Sequence, residues 1–197
     1  ALTDPDNGRV PNLGANDGAY VFPLAGQPLH DYRPVVDAAA KAFLDQDLYG
    51  SPELAEMAAW FNCHSEDTRE QKQPQAPDFL RVHGIQGRAF MHTAHFQGRQ
   101  SHADQLHADL WWRGVNVPLD PGTYQYNGPP RWQNALSVTG VHNTLTLDGQ
   151  DQMQRAGRFL WLDWAQVEIV AHAVNDYGEL HQVTAEHNGY RKLGARH

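Results

Sequence analysis

Apolar and polar positions along the chain predict a short helical part followed by a longer part made of strands. The first helix is expected to begin at Asp31 to Pro34 and to end near Asp45, because proline favours the first helical turn. The second is expected to have Ser51 as its N-cap and to end near Asn62. Their buried faces are expected to comprise Val35, Ala38, Ala39, Ala42 and Phe43 in the first helix, and Leu54, Met57, Ala58 and Phe61 in the second.

Residues 65–78 are polar and contain two prolines, which is typical of a connection between domains. The helical part is therefore expected to cover 1–64 and the strand-rich part 79–197. The strand-rich part is expected to be incomplete at its C-terminal end, because no residue pattern there ends the fold. Strands are expected over 79–82, 89–96, 107–112, 115–119, 143–147, 159–164, 165–174 and 180–186. Many short strands without intervening helices predict an α+β chain whose second part is an antiparallel sandwich or barrel.

Charge and composition exclude several classes of function. With 15 Lys+Arg against 23 Asp+Glu and a net charge of -8, the chain lacks the basic surface of a nucleic-acid binder. No apolar run is long enough to span a bilayer, and no signal-peptide pattern is present. The lone Cys63 excludes an internal disulfide and is expected to be a packing residue.

The densest group of candidate ligands lies over residues 101–109, which contain two His and two Asp. If this segment is extended, His102 and Asp104 share one face, and His107 and Asp109 share the other. Further along, Asp120 ends an apolar strand and His142 opens one. Imidazole and carboxylate groups at strand ends are able to bind zinc, so His102, Asp120 and His142 form a candidate metal site. Their spacing matches no fixed ligand motif, and hydrogen-bonded, half-buried histidines of a sandwich remain the alternative.

Other chemistry has weaker support in the sequence. There is no GxSxG motif and no glycine-rich phosphate loop. The tryptophans at 111, 112, 132, 161 and 164 are expected to belong to the core, with stacking on sugars as the alternative.

Three segments carry a common pattern: the run from Ser101 to Gly114, the run from Asp120 to Asn127 beginning Asp-Pro-Gly-Thr-Tyr, and the run from His142 to Met153 beginning His-Asn-Thr-Leu-Thr. Together they resemble the central signature of the heparinase II/III family of polysaccharide lyases, which includes alginate-lyase relatives. Order and spacing agree across about fifty residues. The early segments Pro11 to Gly18 and Asp31 to Pro34 are similar to the stretch that closes the helical toroid in such proteins.

This resemblance implies that the chain contains the end of an α/α toroid followed by the start of a β-sandwich region. Family members cleave acidic polysaccharides by β-elimination. The uronate carboxylate is neutralised, a base removes the C5 proton, and the 4-O-glycosidic oxygen leaves with a proton. Charge that develops beside the carboxylate requires donors aimed at it, and the base and acid must reach hydrogen-bond distance.

The family's metal ligands match His102, Asp120 and His142, so the resemblance implies Zn²⁺, or another divalent cation, in a structural role. Asp104 and Asn143 would then orient the imidazoles. Some members carry a catalytic histidine where this chain has Gln100, which cannot shuttle a proton. The candidate substrate contacts on the sandwich side are Arg99, Gln100, Gln105 and Trp132.

No residue of this chain matches the family's catalytic tyrosine or its carboxylate-neutralising Asn or His, so no catalytic residue is assigned. The expectation is a lyase of a uronic-acid-containing polymer, such as a glycosaminoglycan or alginate, in which an N-terminal toroid completes the site. The isolated chain is expected to be inactive, and the resemblance implies a periplasmic or secreted location. The alternative is a non-catalytic, metal-stabilised sandwich that binds saccharide or packs against other domains.

Overall fold

The computed structural model describes residues 2–12, 22–63, 79–96, 98 and 100–194. The chain divides into two compact units, one formed by Ala1–Val10 with Gly18–Gln75 and the other by Pro11–Asp17 with Ala76–His197. Both α-helices of the described residues belong to the first unit and the strands belong to the second. The chain is therefore α+β with antiparallel sheets, as predicted. The predicted linker over 65–78 lies wholly outside the described residues.

Helix α1 covers Arg33–Leu44 and has Pro34 in its first turn, as predicted. Its buried residues are Pro34, Asp37, Ala38 and Ala40, whereas Phe43, expected on the buried face, is 69% exposed. Ala39 and Ala42 are exposed as well. Asp37 is buried because its carboxylate binds the Lys41 ammonium at 3.1 Å and accepts the Leu48 N–H at 3.0 Å.

Helix α2 is shorter than expected and covers Glu56–Trp60. Ser51 opens a preceding turn, in which its carbonyl accepts the N–H groups of Leu54 and Ala55, and so it is not the helix cap. Leu54, Met57 and Ala58 are buried as expected, but Phe61 is 62% exposed. Cys63 packs against the small core formed by Ala38, Met57 and Ala58, which confirms its structural role.

A four-stranded antiparallel sheet opens the second unit. Its strands are β1 (Phe79–His83), β2 (Gly87–His92), β3 (Ala108–Trp112) and β4 (Val115–Asn116), in that order. Arg113 and Gly114 join β3 to β4 with φ of 49° and 76°, the left-handed pair that favours a tight hairpin. Side chains alternate along β3, so that Asp109 and Trp111 are buried while Leu110 and Trp112 are exposed.

Two hairpins complete the described strands, β5 (Gln154–Gly157) with β6 (Leu160–Leu162) and β7 (Val167–Val174) with β8 (Leu180–His187). The sequence pattern missed β5 and predicted a strand over 143–147 that does not form. Backbone carbonyls in that segment accept hydrogen bonds that are not part of a strand ladder. The Ala108 N–H bonds the Asn143 carbonyl, and the Tyr190 hydroxyl bonds the Leu145 carbonyl.

The hydrophobic core of the second unit lies directly beside the candidate ligands. It consists of Ala94, Phe96, Ala103, Met153, Trp161 and Ala165, with Val138 and Trp164 packed against it. Ala103 is fully buried and stands between His102 and Asp104 in the chain, so core packing fixes the segment that carries both side chains. Among the described residues, no helix has the length and apolarity needed to cross a bilayer.

Candidate metal centre

Hydrogen bonds bring together the three segments that carry the candidate ligands. The Ala103 N–H bonds the Ser137 carbonyl at 2.9 Å, and the Thr139 hydroxyl bonds the Ala103 carbonyl at 2.8 Å. The Asn143 amide then donates to the Pro118 carbonyl at 2.7 Å. These contacts join segments distant in sequence, so the site depends on the folded second unit.

The three segments bury a histidine–aspartate cluster that comprises His102, Asp104, His107, Asp120 and His142. Each of these residues is at most 6% exposed. The His142 ring lies close to both other imidazoles, with its centroid 5.2 Å from that of His102 and 5.7 Å from that of His107. Buried ionisable groups at this density are characteristic of a metal or catalytic site.

Two ligand sets share His142 within this cluster. Among the described residues, possible ligand atoms lie within 4.8 Å of one another in the set His102, Asp104 and His142, and in the set His107, Asp120 and His142. The sequence-based trio of His102, Asp120 and His142 thus lies in one cluster but is divided between the two sets.

Asp120 is held by the turn that follows it. Its Oδ1 accepts the Gly122 N–H at 2.7 Å, and its Oδ2 lies 3.1 Å from His142 Nδ1 and 3.4 Å from His107 Nδ1. Gly122 has φ of +63°, and a Cβ there would lie 2.7 Å from the Asn12 amide nitrogen. Glycine is therefore required for the turn that aims this carboxylate.

Several buried atoms of the cluster have no hydrogen-bond partner among the described residues. They are His102 Nδ1, Asp104 Oδ1, His107 Nε2 and His142 Nε2. Buried polar atoms normally have hydrogen-bond partners. Imidazole nitrogens and a carboxylate oxygen that lack such partners are suitable ligands for a divalent cation. The residues present therefore fit the zinc ion that the sequence resemblance implies.

The protonation of the cluster favours metal binding. Burial lowers the pKa of the His102 imidazole and of the His107 imidazole, which keeps both rings neutral near pH 7. Burial alone would raise the pKa of the Asp104 carboxyl, but His92 and the other facing histidines hold it below its usual range. Neutral imidazoles beside an ionised carboxylate are the forms that bind a cation.

Alternation along an extended chain predicts His107 on the face opposite Asp104, so His107 is absent from the predicted ligand set. In the structure Leu106 has φ of 58°, and the His107 N–H bonds the Asp104 carbonyl at 3.0 Å. This turn interrupts the alternation of faces and returns His107 to the side occupied by Asp104. The second histidine of the run His-Ala-Asp-Gln-Leu-His was the available signal, but alternation alone assigned it to the wrong face.

The two residues expected to orient the imidazoles occupy different positions. Asn143 does so through its backbone, because its N–H bonds His107 Nδ1 at 3.1 Å while its side chain binds Pro118. Asp104 belongs to a ligand set itself.

Of the predicted substrate contacts, Gln105 is wrong, because it lies in the interior. Its side chain is 0% exposed, and its amide nitrogen donates to the Ala94 carbonyl at 2.6 Å and the Ala165 carbonyl at 2.9 Å. A side chain held in this way packs the interior and does not reach a polysaccharide. Gln100 is half-buried, and Arg99 lies outside the described residues.

Trp132 is accessible, with 38% of its surface exposed. Tyr124 meets it edge to face at 5.6 Å between centroids, and the Arg131 guanidinium lies 5.4 Å from its centroid. Trp111 and Trp161 are buried in the core as predicted, whereas Trp112 is 49% exposed.

Comparison with known proteins agrees with the family resemblance of these residues. The family model described as heparinase II/III-like, C-terminal, matches residues 85–197, more than half of the chain and every member of the histidine–aspartate cluster. No curated protein gives a significant match.

Solved structures share the fold at low sequence identity. A heparinase III gene product is 15% identical with a TM-score of 0.56, and the alignment covers 96% of this chain and 27% of that protein. The heparan sulfate lyase HepC from Pedobacter heparinus is 16% identical with a TM-score of 0.52, at 96% and 27% coverage. The chain thus spans about a quarter of the length of these proteins.

Proposed function

The chain belongs to the heparinase II/III-like family, of which it carries the C-terminal domain, and on this premise we propose that it forms part of a polysaccharide lyase. The proposed substrate is a uronic-acid-containing polymer such as a glycosaminoglycan or alginate. The reaction is β-elimination. A base takes the C5 proton, the C4–O bond breaks, a C4–C5 double bond forms, and the leaving oxygen takes a proton.

One observation carries this proposal. The family match covers the segments that build the buried cluster, so sequence likeness and geometry coincide at the same residues. The described residues offer no tyrosine within this cluster to act as base, and the proposal assigns the base and the carboxylate-neutralising group to an N-terminal toroid of the same polypeptide. The isolated chain is therefore proposed to be inactive.

The metal has a structural role in this proposal. Zinc in the histidine–aspartate cluster, to which His102, Asp120 and His142 all belong, would connect segments already joined by the bonds of Ala103 and Asn143. These segments would form the sandwich side of a substrate cleft. In this proposal side chains transfer the protons, and the ion contributes by making the connected segments rigid.

The test is an elimination assay on the complete protein that contains this chain. Incubation with heparan sulfate or alginate is expected to produce the ultraviolet absorbance of a C4–C5 unsaturated uronate, while dextran, which has no uronate, gives none. The 197-residue chain is expected to give none with any polymer. If the complete protein binds a uronate polymer without forming unsaturated ends, the lyase proposal is wrong and a saccharide-binding module takes its place.

Trp132 is proposed to contact the polymer from the sandwich side, together with Gln100. Trp132→Ala in the complete protein is expected to raise KM about threefold to tenfold, since stacking on an aromatic ring contributes roughly 0.5–1.5 kcal/mol. The melting temperature should change little, because Trp132 is exposed. Trp112→Ala, also at an exposed tryptophan, is the matched control, and an equal effect of both variants on KM would contradict the assignment.

A periplasmic or secreted location is part of the proposal, because uronate polymers are found outside the cytoplasmic membrane. Cell fractionation of a producing organism tests it. Recovery of the protein with the cytoplasmic fraction alone would contradict it.

A further inference from the structure

A groove in the second unit lies between segments that tertiary contacts hold together. It is lined by residues 150–155, which lead into β5, by Asp163, and by residues 189–193, which follow β8. Its volume is about 420 Å³, within the range of roughly 300–1,000 Å³ that is usual for small-molecule sites. Most of the lining side chains are polar, so the groove suits a ligand rich in hydroxyl and charged groups.

The buried part of this groove is fixed by close contacts. Tyr190 is 2% exposed, and its hydroxyl lies 2.9 Å from the Leu145 carbonyl oxygen and 3.2 Å from the Gln150 carbonyl oxygen. A Cβ at Gly189 would lie 2.8 Å from the Gln152 carbonyl oxygen, so only glycine allows the two segments to approach this closely. A cavity formed before the ligand arrives loses little conformational entropy on binding.

The groove has an excess of positive charge, although the net charge of the chain is -8. Its cationic lining residues are Arg155, Arg191 and Lys192. Its acidic lining residues are Asp151 and Asp163. Because the chain as a whole repels anions, this local excess of cations makes the groove a favourable place for an anionic group.

The cations keep N–H donors beyond those that their contacts use. An ammonium has three N–H groups and a guanidinium has five. Among the described residues, the Lys192 ammonium contacts the Asp163 carboxylate and Gln154 Oε1, which leaves one N–H group. The Arg155 guanidinium donates to the Asn134 carbonyl at 3.3 Å and keeps its other N–H groups. Charge-assisted donors of this kind bind carboxylate and sulfate oxygens more strongly than neutral donors do.

We propose that this groove binds an acidic sugar unit of the polymer through its carboxylate or sulfate group. Arg155 and Lys192 donate to the anion, and the amides of Gln150 and Gln154 bond the hydroxyl groups of the ring. This inference rests on the substrate class proposed above and gives the chain a contact with the polymer apart from Trp132.

Calorimetric titration of the 197-residue chain tests the groove, in a Trp132→Ala background that removes the stacking contact proposed above. The probe is a tetrasaccharide of alternating glucuronate and N-acetylglucosamine, expected to bind at one site per chain. Arg155→Gln and Lys192→Gln are each expected to raise the Kd about threefold to tenfold, because each removes a charged donor from a partly exposed site. An unchanged Kd when both are replaced overturns the proposal.

Two further probes identify the group that is bound. Chitotetraose, a neutral tetramer of N-acetylglucosamine, is expected to bind about tenfold more weakly than the acidic tetrasaccharide, and equal affinity overturns the proposal. A sulfated form of the acidic tetrasaccharide separates the two anions. Affinity for both forms assigns the contact to the carboxylate, affinity for the sulfated form alone assigns it to sulfate, and affinity for neither overturns the proposal.

Matched variants separate a local contact from overall charge and from folding. Lys192→Arg keeps the charge and should retain binding. Arg113→Gln removes an exposed guanidinium that bonds Gln86 outside the groove, and a rise in Kd equal to that of Lys192→Gln overturns the proposal. The Lys192 side chain is 61% exposed, so its replacement should leave the melting temperature unchanged and provides the test when Arg155→Gln does not fold.

The elimination assay on the complete protein distinguishes failure of the groove from failure of the lyase proposal. If the complete protein forms no unsaturated ends while Lys192→Gln still weakens binding of the tetrasaccharide, the lyase proposal is wrong and the groove stands. If unsaturated ends form and neither acidic tetrasaccharide binds the chain, the groove is wrong and the lyase proposal stands.

Discussion

Replacing His142 with alanine is expected to abolish zinc binding and to lower the melting temperature of the chain by about 5–11 °C in the presence of zinc. His142 belongs to both ligand sets, so its loss disables the centre whichever aspartate binds the ion. At a free zinc concentration a hundred times the Kd, binding stabilises the folded state by about 2.7 kcal/mol. For a chain of this size each kcal/mol corresponds to roughly 2–4 °C. Elemental analysis and thermal unfolding give both quantities.

Chelation separates loss of the metal from loss of packing. The unmodified chain should melt at a lower temperature in chelator, while the melting temperature of His142→Ala should not respond to it. His172→Ala removes an exposed histidine of β7 and is the matched control, expected to bind zinc normally. A well-folded, unmodified chain with no bound metal and no response to chelator would reduce the cluster to hydrogen-bonded interior histidines.

Replacing Gln105 with alanine is expected to lower the free energy of unfolding by about 2–6 kcal/mol, because it leaves two buried carbonyls without donors at roughly 1–3 kcal/mol each. The acceptors are Ala94 and Ala165, and both belong to the main core. Gln105 thus connects its own segment to Ala165, which lies 60 residues further along the chain. Urea unfolding followed by circular dichroism measures the change.

Gln100→Ala is the matched control for this prediction. Gln100 is half-buried and is, like Gln105, a predicted substrate contact, yet its replacement is expected to lower the free energy of unfolding by less than about 1 kcal/mol. A loss below about 1 kcal/mol in Gln105→Ala would show that its bonds to the core carbonyls contribute little.

Local rules succeeded where the elements depend on neighbours in sequence. Pro34 in the first turn predicted α1, and the apolar run predicted a strand over 107–112, where β3 forms. The same rules predicted a strand over 143–147 that the structure lacks. Alternation describes a strand only when a partner ladder is present, and here the Thr144 hydroxyl and the Leu145 carbonyl bond groups from distant segments.

Burial was the property that local rules predicted least well. Gln105 is polar yet fully buried, and Phe43 is apolar yet 69% exposed. The first is explained by the carbonyls of Ala94 and Ala165, which no local pattern reveals. Asp37 takes a buried place on α1 for a similar reason, since Lys41 and the Leu48 N–H satisfy its carboxylate.

The sequence by itself determined the family, the α+β class and the residue types of the candidate centre, because these follow from motifs whose order and spacing are written along the chain. Only the tertiary structure decided which of those residues meet. The left-handed turn at Leu106 brings His107 to the cluster, and the bonds of Ala103 and Asn143 bring His102, Asp120 and His142 together. Ligand sets are defined by distances of a few ångströms between segments far apart in the chain, and folding creates those distances.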